Sequence, residues 1–305
     1  MSRTLDALAN ALASIGEVRR DEPMARHTTF GIGGPADIFL TVRSSADLMR
    51  AVALADSAGV PVFVLGSGSN ILVSDRGIRG LVIDNRARRE DWLDDCRVRL
   101  ESGVSFAAFA RRACRRGMAG LAWAVGIPGT LGGAVVYNAG AYGGCLADVL
   151  EAVHLFDPTE GDDWVPAADL QLQYRGSVFT RGAFLGRTIL AVELRLFPGR
   201  AEELLAQAAE FDRRRLAAQP RGRNAGSMFK NPPDAPAWKL IDAVGLRGAR
   251  RGDAAISEQH CNFFVNLGQA TAANVAWLVE EAERRVFERF GIRLEREVAF
   301  VGEWT

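Results

Sequence analysis

Glycine placement constrains this chain more than any other feature. The 305 residues include 32 glycines, and seven of these fall within the 19 residues 126–144. Average usage of about 7% would place one or two there. Glycine has no Cβ, so its backbone can lie close against another surface. The segment reads as two strand-length pieces broken by Gly132-Gly133 and by Gly140 with Gly143-Gly144. Such a pattern implies backbone packed against something flat or bulky, with Thr130, Tyr137 and Asn138 adding polar atoms to the same region. A turn-rich structural crossing is the plainer alternative. A second glycine loop, Leu65 to Asn70, follows a predicted strand. Its backbone N–H groups, with Ser67, Ser69 and Asn70, could cradle an anion. It is no dinucleotide fingerprint, because Ile71 stands where the third glycine should be, and no Gly-Lys-Ser/Thr follows to make a Walker loop. An ordinary tight turn between strands competes with the anion reading.

Composition removes several classes of function. Lys plus Arg is 37 and Asp plus Glu is 37. Zero net charge argues against a chain whose main work is neutralising a phosphate backbone, so no nucleic-acid partner is expected. Apolar residues at 48% and charged residues at 24% fit a folded domain. No run approaches the ~20 apolar residues of a membrane-spanning helix. Asp6 and Glu17 interrupt the N-terminus, which therefore does not resemble a secretory signal. Cys96, Cys114, Cys145 and Cys261 are scattered and only three histidines accompany them, so neither disulfides nor a metal site is expected. A reducing cytoplasm fits these features; separately, the chain is expected to be a monomer. Arg86, Arg88 and Arg89, and Arg111, Arg112, Arg115 and Arg116, form two basic clusters. They read as solvated surface, with attraction of a nucleotide phosphate as the alternative.

At about 150 residues per domain the length suggests two domains. Periodicity predicts helices over 2–16, 45–59 (Ser45 as N-cap), 105–116 with Gly117 at its end, 200–217 and 271–290. The last would bury Val275, Leu278, Val279, Ala282, Val286 and Phe287. Lys239 to Ile241 marks another helix start. Strands are predicted at 37–43, 61–65 (buried), 71–73, 80–83, 152–156, 189–196 and 262–266. Pro198-Gly199 and the loop after Pro220 place the domain boundary near 198–222.

Four segments carry residues able to do chemistry. The loop 223–232 brings Ser227, Lys230 and Asn231 together beside Gly226, although a surface loop is its plainest meaning. Tyr174-Arg175 offers a guanidinium that can fork onto a carboxylate; a surface ion pair is the alternative. Alternation would put Glu295 and Glu297 on one side of a strand, which a solvated face explains equally well. His260, before an apolar run, reads as a structural histidine.

Taken together and in order, these segments resemble the UDP-N-acetylenolpyruvoylglucosamine reductase family of flavoenzymes, in its shorter subtype. The likeness runs from His27-Thr28-Thr29-Phe30 and Gly33 to Asp37, through Gly66 to Asn70, Gly126 to Thr130 and Asn138 to Gly143, to Tyr174-Arg175. It continues with Gly226 to Pro232 and Ser257 to His260, and ends with Leu294 to Val298. The resemblance implies an α+β fold: an FAD-binding domain of the vanillyl-alcohol-oxidase type over 1–200, with subdomains of about 1–65 and 66–200. A smaller substrate-binding domain would occupy 201–305, its C-terminal strand near 294–300 returning to the active site. It also implies non-covalent FAD held by Gly66, Ser67, Gly68, Ser69, Asn70, Gly129, Thr130, Gly133, Asn138, Gly140 and Ala141. NADPH would reduce the flavin, and UDP-N-acetylglucosamine enolpyruvate would then take hydride at C3, a step of peptidoglycan precursor synthesis. Arg175 and Glu297 would polarise the substrate carboxylate, Glu297 as a protonated acid with a raised pKa, and Ser227 would protonate C2. Tyr174, Lys230 and Asn231 would touch substrate. Three positions depart from the family pattern: His27 for asparagine, Trp238 for glycine and Cys261 for alanine. Trp238 is expected to disturb the local backbone. Another FAD oxidoreductase of the same fold, acting on a small alcohol or acid, is the competing assignment.

Overall fold

The computed structural model describes residues 2–184 and 186–304 of an α+β chain. Packing divides it into two compact units that interleave in sequence. The first comprises Met1–Arg20, Ile38–Gly66 and Gly80–Arg215; the second comprises Asp21–Asp37, Ser67–Arg79 and Leu216–Thr305. The packing units therefore do not follow a single cut near residue 200, because two N-terminal segments belong with the C-terminal third.

The first unit holds two cores. One lies on a four-stranded sheet in the order Glu17–Pro23, Pro35–Val42, Ile78–Asn85, Val62–Leu65. Helices α1 (Ser2–Leu12) and α2 (Ser45–Ser57) contribute Leu8, Leu12, Leu48 and Val52 to it. Ser44, not Ser45, caps α2: its side chain accepts the Asp47 N–H at 3.1 Å. Ser45 is drawn elsewhere, its N–H to Glu101 and its hydroxyl to the Leu190 carbonyl. Strand Val62–Leu65 is only half-buried except at Leu65, contrary to the sequence expectation. The other core lies on a five-stranded antiparallel sheet, Gly161–Pro166, Leu150–Asp157, Thr188–Arg195, Arg97–Glu101, Glu90–Trp92. Helix α3 (Phe106–Arg115) buries Phe106 and Phe109 there.

The glycine-dense segment departs from expectation most. Where two strand pieces were predicted, Leu131–Val136 forms a short helix, α4. Thr130 caps it by accepting the Gly133 N–H. Leu131, Ala134 and Val135 are buried at helical spacing, a pattern that the intervening glycines obscure in the sequence. Helix α5 (Ala201–Ala218) follows the five-stranded sheet in the chain.

The second unit is built on an antiparallel sheet, Arg223–Ser227, Phe263–Asn266, Ala254–Ile256, Arg250–Arg251, and a parallel pair, Ala299–Val301 with Ile71–Val73. Helices α6 (Ala237–Ala243) and α7 (Ala272–Phe290) cover one core with Ile241, Val275, Leu278, Val279, Ala282 and Val286. Phe287 does not join it. It is 43% exposed, and the Arg293 guanidinium lies 4.5 Å over its ring. A capping box of Thr271 and Asn274 starts α7. The Asp75 carboxylate also accepts the N–H groups of Ala272 and Ala273, at 2.8 and 2.9 Å. Negative charge is favourable at that end of a helix, and the contact ties the 67–79 segment to α7. Among the described residues no helix is long and apolar enough to cross a membrane.

Candidate active site

In the first unit, the turn Tyr174-Arg175 is closed by two main-chain bonds between Gln173 and Gly176, at 3.0 and 3.1 Å. Arg175 sits at φ +52°, a left-handed conformation that costs a non-glycine residue roughly 1–2 kcal/mol. Observed strain of this kind concentrates at functional positions. The turn aims Arg175 back at the glycine segment, where its Nη2 donates to the Gly140 carbonyl at 2.8 Å. Asn138, buried and itself at φ +40°, holds the same neighbourhood together. Its Nδ2 donates to the Gln173 carbonyl at 3.1 Å, and its Oδ1 accepts the Ala147 N–H at 3.0 Å. The side-chain amide of Asn138 is thus engaged by protein, and its main-chain N–H donates to the Val135 carbonyl at 3.1 Å. Tyr174 is exposed and its ring centre lies 5.4 Å from the Arg175 guanidinium.

Crowding explains several glycines here. A Cβ on Gly66 would come within 2.5 Å of the Thr130 hydroxyl, and one on Gly144 would strike the Trp123 ring. Gly133 differs: it is exposed, and its nearest neighbour would be 3.8 Å away. Arg215 on α5 lies against Gly126. Burial pulls its pKa below the ordinary arginine value, while Tyr142 and Asp212 act in the opposite sense.

In the second unit, Ser67 and Ser69 flank Gly68 with their hydroxyl oxygens 3.2 Å apart. Gly68, at φ +62°, lies so close to the main chain of His27 and Thr28 that any Cβ would run into the His27 carbonyl. The Thr29 N–H donates to the Gly68 carbonyl at 3.1 Å. His27 is held in turn by buried Glu22, 2.8 Å from its Nε2. Asn70 extends the loop to the C-terminal segment: its Nδ2 donates to the Glu297 carbonyl at 3.0 Å, and its own carbonyl accepts the Ala299 N–H.

Ser227 ends strand Arg223–Ser227 at a register shift against Phe263–Asn266. Its neighbour Met228 accepts the Glu297 N–H at 2.8 Å, so the serine and the glutamate are brought into one small region although 70 residues apart. Both are half-buried. The strand expected over 294–300 is shorter than predicted. Residues 294–298 make one isolated bridge, Arg296 to Phe229, and regular pairing begins at Ala299. The main chain at 295 and 297 is bonded to Lys230 and Met228 instead. Glu295 does not share a site with Glu297: its exposed side chain pairs with Lys230. Asn231 accepts the Ala237 N–H at 3.0 Å near the start of α6. Trp238 does not disturb α6; it is half-buried on the helix, 6.1 Å from the His260 ring and 5.6 Å from Lys239 Nζ. Burial lowers the pKa of His260, and the Arg247 charge adds to the effect.

The glycine loops, Arg175 and Ser227 are candidates that the sequence itself offers. Asn262, whose side chain bonds the Phe229 main chain, is not. An asparagine between Cys261 and Phe263 matches no motif.

Comparison with known proteins agrees over almost the whole chain. Residues 36–162 match the model of a family described as FAD binding domain. Residues 218–301 match that of the UDP-N-acetylenolpyruvoylglucosamine reductase C-terminal domain. A UDP-N-acetylenolpyruvoylglucosamine reductase 2 of Symbiobacterium thermophilum is 41% identical over 305 residues, covering 99% of this chain and 98% of that one. The Geobacter metallireducens reductase is 44% identical over 292 residues, covering 94% and 95%. The crystal structure of the Thermus caldophilus reductase superposes with a TM-score of 0.80 at 38% identity, covering 94% of this chain and all of that one.

Proposed function

Because this chain belongs to the UDP-N-acetylenolpyruvoylglucosamine reductase family, we propose that it reduces UDP-N-acetylglucosamine enolpyruvate to UDP-N-acetylmuramate for peptidoglycan synthesis, using FAD and NADPH. The observation that carries the reading is the Glu297 N–H bond to Met228, which keeps a serine and a carboxyl group in one neighbourhood.

The residues fit the flavin nucleotide. Ser67 and Ser69 present paired hydroxyls around Gly68, a donor set suited to a diphosphate, and exposed Gly133 leaves room for a bulky group. Gly66 to Asn70 would hold the cofactor, with Gly129, Thr130, Gly133, Asn138, Gly140 and Ala141. Bound FAD would supply hydride transfer, accepting electrons from NADPH and passing hydride to C3 of the enol ether.

The remaining work falls to side chains. Hydride addition at C3 pushes negative charge onto C2 and the adjoining carboxylate. Arg175 takes up that charge with a permanent cation, whose electrostatic contribution is roughly 3–4 kcal/mol for a well-placed donor. Glu297 hydrogen-bonds the carboxylate only while protonated, since two carboxylates would repel. Ser227 gives its proton to C2 and recovers one from solvent. Tyr174, Lys230 and Asn231 contact substrate, Lys230 by exchanging Glu295 for an anionic group.

The test is an anaerobic assay of the purified yellow protein. NADPH oxidation should depend on added UDP-N-acetylglucosamine enolpyruvate and yield a product two hydrogens heavier. A colourless protein, or a flavin that NADPH bleaches but the sugar nucleotide never restores, would overturn the proposal.

A further inference from the structure

We infer that Asn262 is a positioning residue: its buried carboxamide fixes the Met228-Phe229 main chain and so sets the Ser227 hydroxyl relative to Glu297. The inference rests on the proton-donor reading of Ser227 given above.

The serine is delivered by a β-bulge. Asn224 pairs with Val265 and Ser227 with Phe263, so two residues face one between them. Gly226 takes φ +82° there, and its N–H donates to Asn224 Oδ1 at 3.0 Å. A bulge re-aims the side chain that follows it but interrupts the ladder, so the next residues need another hold. Asn262 provides it. Its main-chain carbonyl accepts the Met228 N–H at 2.7 Å. Its Oδ1 accepts the Phe229 N–H at 2.9 Å, and its Nδ2 donates to the Phe229 carbonyl at 2.8 Å. The side chain acts as a one-residue strand for Phe229, and at 3% exposure it is screened from competing water.

Met228 passes the constraint on. Its carbonyl accepts the Glu297 N–H at 2.8 Å, and the Glu297 carbonyl accepts Asn70 Nδ2 at 3.0 Å. A tilt of the 228–229 peptides would displace Ser227 on one side and Glu297 on the other. Buried Asn266, four residues along, spends its amide differently: on the Phe30 carbonyl at 3.0 Å and the N–H groups of Gly268 and Ala270. Both asparagines are buried and bonded to main chain, and Asn266 pairs with Arg223 at the far end of the serine strand, but only the Asn262 side chain bonds the residues that follow Ser227, so Asn266→Ala is a matched structural control.

The experiment compares Asn262→Ala and Asn266→Ala holoenzymes with the parent. Each is reduced with dithionite and mixed anaerobically with UDP-N-acetylglucosamine enolpyruvate in H₂O and in D₂O. Both variants should melt earlier. Only Asn262→Ala should reoxidise slowly, by roughly 10- to 100-fold, the sensitivity of transfer steps to misplacement near 1 Å. Its solvent isotope effect should also rise, because the proton step becomes limiting. Amide exchange in the same variant should accelerate at Met228, Phe229 and Glu297. Should Asn262→Ala fail to fold with flavin, Asn262→Asp takes its place, keeping the acceptor for Phe229 N–H and setting a carboxylate oxygen against the Phe229 carbonyl in place of the donor. Equal rates and isotope effects in the two variants would overturn the positioning role and leave a purely structural one. A parent that is not reoxidised at all would instead bring down the functional reading on which the inference rests.

Discussion

Segments 126–144 and 223–230 both lie at glycines, yet they hold their candidate residues by different means. In the first, Gly140 and Gly144 are glycine because neighbouring atoms leave no space for a Cβ, and the main chain threads between Trp123 and Cys145. In the second, a Cβ on Gly226 would meet nothing within 4 Å; what that position needs is its φ of +82°. Hydrogen bonds from Asn224 and Asn262 then do the fixing. Glycine density therefore marks crowded backbone in one unit, and a single glycine marks a re-aimed side chain in the other. Motif spacing reveals the first arrangement far more readily than the second.

The comparison can be broken at several points. The largest effect should come from Ser227→Ala, which ought to slow flavin reoxidation by the sugar nucleotide roughly 10²- to 10⁴-fold. Flavin reduction by NADPH should keep its rate, as stopped-flow absorbance would show. An equal loss in both half-reactions would mean that the serine supports the fold and not the chemistry.

Gly68→Ala should follow. Its Cβ would collide with the His27 carbonyl at a left-handed backbone position, so guanidinium denaturation should report a loss of more than about 2 kcal/mol. Gly143→Ala is the matched case, since its φ is +87° but nothing lies within 4 Å of the added carbon. It should lose only about 1 kcal/mol; equal losses would show that crowding is irrelevant.

Asn138→Ala falls between these, at about 1–3 kcal/mol, because the Ala147 N–H and Gln173 carbonyl lose their partner. If the flavin affinity of that variant fell while its stability held, the amide would be serving the ligand.

The smallest effect concerns pH. Burial lowers the His260 pKa from its ordinary value of 6.5. The unfolded chain then binds the proton more readily than the folded one. This contribution is complete above pH 6.5 and declines as pH drops toward the folded value. Chemical denaturation between pH 7.5 and 5 should show that slope, and His260→Gln should flatten it. An unchanged slope would assign the dependence to another group.

Much of this was legible in the residues. The helices and most strands follow their apolar spacing, as α7 does from Val275 to Val286. Failures came where tertiary contacts override local pattern. Glycines hid the short helix α4, whose cap and buried stripe form only because Thr130 and Ser102 take up its first N–H groups. Phe287 keeps the helical stripe's period but lies at its edge, where Arg293 covers it. The run at 294–298 alternates like a strand yet bonds the serine loop instead of a neighbouring strand. Among the candidate residues, Ser227, Arg175 and Glu297 stood out as chemically capable side chains only when taken together with their motifs. Asn262 could not, because its significance is two hydrogen bonds to a residue 33 positions away.

The most direct measurement of the central claim is a single turnover. The holoenzyme is reduced anaerobically, mixed with one equivalent of UDP-N-acetylglucosamine enolpyruvate, and followed by the flavin's visible absorbance. The account predicts full return of the yellow colour in the parent, with formation of the muramate and a much slower return in Ser227→Ala. A parent whose flavin stays bleached with substrate present, or a Ser227→Ala variant that recovers colour at the parent rate, would contradict it.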